Sequence, residues 1–139
     1  MRSAVDTNVI SALWSQEPTA SGMAALLGNA HDRGGVVICG AVYAELLSHP
    51  KATRAFVDGF LRKTGVAVEF ETSERVWREA ARAYAAYAQR RRASGGSQPK
   101  RLLVDFVIGA HALYHADRLL TLDRSRYASD FPKLLLEPG

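Results

Sequence analysis

Four acidic residues stand where an acid is least expected: Asp6 in AVDTNVI, Glu45 in AVYAELL, Asp105 in LVDFVIGAHAL and Asp123 in LLTLDRSRY. Each lies inside or beside an apolar run, where an ionised carboxylate is expensive to bury unless something compensates it. Several such residues in one short chain point to convergence on a hard cation. A metal offsets both their desolvation and their mutual repulsion. For Asp6 and Asp123 the competing explanation is helix capping, the commonest work of an Asp that follows a strand. For Glu45 and Asp105 it is a solvated helix face, but such a face normally carries more than one polar residue. Glu45 has Val42, Tyr43, Ala44, Leu46 and Leu47 around it instead. On a helix, Asp105 shares its face with Ile108, Gly109 and Ala112, small or apolar positions where another element can pack closely.

Other chemistries have poorer support. His111 and His115 are spaced so that one helix face could present both to a metal, yet no third ligand accompanies them and there is no HExxH. Ordinary partly buried histidines are the better description. The pairs Gly34-Gly35 and Gly95-Gly96 carry no Walker or dinucleotide pattern. Cys39, the one cysteine, sits in the apolar run VVIC, so no disulfide forms within the chain and a buried inert thiol is expected. The basic run Arg90, Arg91 and Arg92 and the pair Lys100 and Arg101 flank the loop-like ASGGSQP. They are candidates for contact with a phosphate backbone, or simply a solvated helix end.

The elements that must position these groups alternate. Strand character appears at Ser3 to Val5, Val36 to Cys39, Val66 to Phe70, Leu119 to Leu122 and Leu134 to Leu136. Helical patterns fall at Val9 to Trp14, Met23 to Ala30, Ala41 to Ser48, Lys51 to Thr64, Ser73 to Arg92 and Leu102 to His115. Short, continuously apolar strands alternating with helices predict an α/β fold, a parallel sheet covered on both faces. In such a sheet, sites form beyond the carboxyl ends of the strands, where Asp6 and Asp123 both fall.

At 139 residues the chain fits one domain spanning residues 1–139, with no internal repeat and no domain-sized linker. Lys plus Arg exceed Asp plus Glu by 18 to 14, giving a net charge of +4. If the acids cluster, the remaining surface is more basic than that figure suggests. A basic surface around an acidic pocket suits a polyanionic substrate. No stretch approaches the ~20 apolar residues of a membrane span, and the N-terminus shows no leader pattern. A cytoplasmic protein with no membrane association is the expectation.

The order and context of these motifs resemble the PIN-domain ribonucleases. They are Asp6-Thr7-Asn8 at the first strand exit, a lone Glu45 in an apolar helix, Asp105 opening DFVIGAHAL, and Thr121-Leu122-Asp123 after an apolar strand. The likeness is greatest to VapC-type toxins of bacterial toxin-antitoxin pairs and extends through the closing TLDRSRYASDFPKLLLEP. It implies a PIN-like three-layer sandwich with a central parallel sheet of about five strands between helices. It also implies a metal-dependent endoribonuclease with Mg²⁺ or Mn²⁺ at the acidic cluster. By the resemblance Asp6, Glu45, Asp105 and Asp123 are the catalytic quartet, with Asp6 and Asp105 the most direct metal ligands. Thr7, Asn8 and Thr121 match supporting positions. An RNA substrate, a cognate antitoxin and a homodimer are the implied partners, with the Trp14 region and the Phe56-Phe60 segment as interface or core.

Other functions compete. A metal-dependent DNA nuclease or a phosphatase would use the same scaffold. A phosphoacceptor module would explain one Asp at a strand end and leave Glu45 and Asp105 without a role. A non-catalytic RNA-binding module lacks an evident aromatic stacking platform.

Overall fold

The computed structural model describes residues 1–96 and 101–138. Its centre is a five-stranded sheet in the order β3-β2-β1-β4-β5, with β1 at Ser3–Val5, β2 at Val36–Cys39, β3 at Val66–Glu69, β4 at Arg118–Leu120 and β5 at Leu136–Glu137. Every pairing is parallel, and Ser3 stands between Val36 on one side and Arg118 on the other. Around it lie α1 (Thr7–Trp14), α2 (Ala20–Gly34), α3 (Gly40–Leu46), α4 (Arg54–Thr64), α5 (Glu74–Ala93), α6 (Leu103–His115) and α7 (Arg124–Ala128). This is the three-layer α/β sandwich expected. All of β1, β2 and β4 is buried, which is why those strands are apolar or paired throughout rather than alternating.

Strand order fixes where a site can form. From β1 the chain steps outward through β2 to β3, then returns and places β4 on the other side of β1. The reversal opens a crevice beyond the carboxyl ends of β1 and β4. The Asp6 backbone N–H donates to the Leu120 carbonyl at 2.9 Å, so those two strand exits are tied together.

Local chemistry sets the helix ends. The Thr53 hydroxyl caps α4 by accepting from the Phe56 N–H at 3.1 Å, and Ser73 caps α5 in the same way. Helix α4 stops at Gly65, whose φ of 71° is left-handed and where a Cβ would lie 2.5 Å from His31 Nε2. Arg75 stacks 3.9 Å from the Tyr114 ring centroid at one end of the α5–α6 pair, and Tyr84 and Tyr87 lie against Phe106 at the other. The two helices therefore run antiparallel. Gly109 of α6 lets Phe131 pack against its backbone: a Cβ there would be 2.3 Å from the ring. That close approach draws the segment holding α7 onto α6, next to Asp105.

Helix α7 is absent from the sequence expectation because it has five residues and one buried side chain, Tyr127, too few to show a period. Helix α2 extends beyond the expected Met23 to Ala30. Pairing in the last strand falls at Leu136–Glu137 rather than Leu134 to Leu136. An apolar run of three leucines does not disclose which of them meets a neighbour, and here Thr121 N–H donates to the Glu137 carbonyl at 2.8 Å. Cys39 is buried, as expected, and Trp14 is buried against Phe56 and Phe60.

Candidate active site

Asp6 follows β1 and has the N-cap position of α1, so both explanations offered for it hold together: its Oδ1 accepts from the Thr7 N–H at 2.8 Å. Its Oδ2 does something more, accepting from the Thr121 hydroxyl at 2.8 Å and the Tyr127 hydroxyl at 2.9 Å. The residue is 3% exposed. Burial raises its pKa despite those hydrogen bonds. Burial and the acidic neighbour likewise push the Tyr127 phenol up, so it remains a donor at any working pH.

Glu45 enters from α3, its Oε1 accepting from the Thr7 hydroxyl at 2.5 Å. Partial burial raises its pKa, and the charges of Asp6 and Asp105 add to the rise. Thr7 thus serves two acids, one through its backbone and one through its hydroxyl. Asp105 lies in the first turn of α6, where the helix dipole favours an anion, and is 7% exposed. Asp123 occupies the N-cap position of α7, but its side chain accepts no backbone N–H there. Its N–H donates to the Thr121 hydroxyl oxygen at 3.0 Å, and its Oδ1 accepts from Ser125 at 3.2 Å. Asn8 Oδ1 accepts from the Leu122 N–H at 3.1 Å, holding the β4 exit against the start of α1.

The fold therefore gathers the predicted acids and their supporting residues at the switch point of the sheet. Two further residues belong there. Tyr127 is the buried donor to Asp6, and Arg126 reaches between two acids, its Nη1 3.3 Å from Asp105 Oδ1 and its Nε 3.1 Å from Asp123 Oδ2. Partial burial works against the guanidinium charge, and Asp105 and Asp123 more than offset it. The stretch RSRYAS is turned inward by Tyr127, buried against Asp6, and by the Gly109–Phe131 contact that follows it.

The donor set is entirely oxygen, four carboxylates with Thr and Asn nearby, which suits a hard divalent cation such as Mg²⁺ or Mn²⁺. Desolvation of Asp6 and Glu45 gives a cation something to offset. Among the described residues, no three acidic, His or Cys groups yet surround a common point at ligating distance. Arg126 engages Asp105 and Asp123, and Thr7 engages Glu45.

The basic candidates have a different disposition. Arg90 and Arg101 both bind the carboxylate of buried Asp130, and the Arg101 guanidinium also lies 4.7 Å from the Phe106 ring centroid. Arg92 is exposed at the end of α5; Lys100 lies outside the described residues. A cavity of about 420 Å³ between Arg90, Arg101, Ser129 and the Asp123–Arg126 pair adjoins the acidic site. His111 is buried and bonds Glu69 at 2.7 Å, away from the quartet. Burial lowers its pKa in spite of that acid, the behaviour of a structural histidine.

Among the described residues no helix is long and apolar enough to cross a membrane. A search of curated protein sequences finds no match. Solved structures do match in shape. The VapBC2 structure from Rickettsia felis, bound to a DNA fragment from their promoter, aligns with a TM-score of 0.59 at 20% identity, over 99% of this chain and 98% of that one. VapBC-1 from nontypeable Haemophilus influenzae gives 0.60 at 17% identity, over 99% and 97%. FitAcB from Neisseria gonorrhoeae gives 0.61 at 20%, over 96% and 95%. At such identities the likeness is one of fold. The PIN domain family model matches residues 4–131, which takes in all four acids and the α7 segment. By that match over most of its length, the chain belongs to the PIN domain family.

Proposed function

We propose that this protein is a Mg²⁺- or Mn²⁺-dependent endoribonuclease, the toxin of a toxin-antitoxin pair. The observation that carries the reading is the buried, desolvated Asp6 at the sheet's switch point, which together with Asp105 is close enough for its charge to raise the pKa of Glu45. A carboxylate kept dry and hydrogen-bonded by Thr121 and Tyr127 is costly to the apo fold and useful to a bound cation. Asp6 and Asp105 would hold the ion, and Glu45 and Asp123 would complete the site. A bound divalent ion supplies an acidified water and charge stabilisation at a phosphoryl centre. This chain's own part is orientation. Thr121 and Tyr127 aim Asp6, Thr7 aligns Glu45 with it, and Asn8 clamps the two strand exits. Exposed Arg92, and Arg90 at the rim of the adjoining cavity, are the candidate contacts for RNA phosphates.

The antitoxin reading draws on the VapBC and FitAcB likenesses and on a second surface. A groove of about 710 Å³ runs between α1–α2 and α4–β3, with Trp14, Leu27 and Phe60 along its floor and Arg62 and Lys63 at its edge. The buried Trp14 indole N–H has no hydrogen-bond partner among the described residues. An apolar segment of the antitoxin carrying an acidic residue matches those features.

The test is cleavage of a structured RNA panel by purified, partner-free protein in Mg²⁺, in Mn²⁺ and in excess EDTA, beside Asp105→Asn. Discrete cuts that need metal and disappear in the variant support the reading. Cutting that persists in EDTA and in the variant would come from a contaminant, and cutting of DNA alone would replace RNA as the substrate.

A further inference from the structure

Arg126 reaches into the acidic site from α7. Its fork spans Asp105 at 3.3 Å and Asp123 at 3.1 Å, and its charge is also felt at Asp6 and Glu45. Asp105 and Asp123 are two of the four acids that a divalent ion would address, and the Asp105 side chain is only 10% exposed. A guanidinium satisfied by two carboxylates neutralises them in the same sense as a metal does, through the same oxygens. Two cations cannot share those oxygens without close like-charge repulsion. This accounts for the absence, among the described residues, of a ready ligand cage: Arg126 holds Asp105 toward Asp123.

We propose that Arg126 is the resident counter-cation of this site, and that it and a divalent metal ion exclude one another at Asp105. Resting on the metal-nuclease reading above, this deepens it. In metal-free protein Arg126 keeps the acids from repelling one another. As metal arrives it leaves Asp105 and remains on the rim of the adjoining cavity that it lines with Ser125 and Ser129. Arg126 is thus a positioning residue that sets the metal concentration at which the site fills.

The experiment is calorimetric titration of partner-free protein with Mn²⁺, no nucleic acid present, for wild type, Arg126→Gln, Arg126→Lys and Arg124→Gln. Competition between two ligands of one site is a coupling commonly worth about tenfold in affinity, so Arg126→Gln binds Mn²⁺ about tenfold more tightly. Arg126→Lys keeps a charge without the fork and falls between. Arg124 is exposed on the same helix and controls for loss of surface charge; its variant stays within about twofold of wild type. Arg126→Gln also melts earlier than wild type in EDTA, as loss of any contact would cause, but it gains more from Mn²⁺, which loss of a merely structural contact does not produce. Equal or weaker Mn²⁺ binding by both Arg126 variants overturns the inference and leaves the nuclease reading standing. Absence of binding in every protein, wild type included, sinks both.

Discussion

Two aspartates of this molecule are buried to nearly the same degree and live under opposite electrostatics. Asp130 is clasped by Arg90 and Arg101, with the second arginine stacked among aromatic rings. Among the described residues, no cation contacts Asp6. Two hydroxyls and one backbone N–H support it, and burial raises its pKa all the same. The first arrangement closes the structure: it pins the end of α5 and the start of α6 to the segment after α7. The second leaves a carboxylate whose ionisation the apo fold resists. A charge satisfied inside the chain contributes to holding it together. One left short of a partner costs stability and remains available to a ligand.

The sharpest way to break this contrast is Asp6→Asn. If Asp6 serves the chemistry, cleavage falls by at least about a thousandfold, roughly 4 kcal/mol of barrier. In EDTA the same substitution raises stability by about 1 kcal/mol, because a neutral amide there avoids the desolvation cost. A variant both inactive and less stable than wild type would place Asp6 with Asp130 as a structural acid. Asp130→Ala should do the reverse. Stripping the acid from a buried pair commonly costs about 3–5 kcal/mol, and the lower end applies because Arg90 is 52% exposed. Urea denaturation measures the loss, and folded variant at low temperature should still cut RNA.

Tyr127→Phe is the intermediate case. It removes one donor from Asp6 and should cost about 1.5 kcal/mol. Since that hydrogen bond lowers the Asp6 pKa, the acid limb of the pH–rate profile should move to higher pH. A profile that stays in place would detach Tyr127 from the chemistry. The smallest effect is on stability against pH in EDTA. Asp6 and Glu45 have folded pKa values raised above their ordinary 3.8 and 4.5, so between those values and the raised ones the folded state binds more protons than the unfolded state. Unfolding free energy contributed by these groups therefore falls as pH rises through that window, by at most about 1.4 kcal/mol per pH unit for each group. Glu69 is shifted down, its bond to His111 and the charge of Arg2 outweighing burial, and it works in the opposite sense at lower pH. The difference between wild type and Asp6→Asn isolates the Asp6 part. It should vanish in saturating Mn²⁺, which keeps the carboxylate ionised.

Much of this architecture was legible in the order of residues. Ser3–Val5 and Val36–Cys39 are strands with the bounds expected, and Ser73 caps the longest helix, because apolar runs and capping side chains act over a few residues. The acids betrayed themselves by standing in apolar surroundings. Their partners did not. Thr121 and Asn8 entered as supporting residues by family likeness, and Arg126 and Tyr127 sit in a helix of five residues, too short to show a period.

Local sequence thus determined most of the elements, though not α7 or the register of the last strand, along with the parallel sheet and the identity of the suspicious acids, since propensity, capping and desolvation are properties of near neighbours. Which arginines neutralise Asp130 and which one reaches the acidic site was decided by tertiary structure alone. The sequence offers several arginines of equal chemistry between Arg90 and Arg126. Strand order and the Gly109–Phe131 contact then choose among them by distance, on which Coulomb attraction and hydrogen bonding depend.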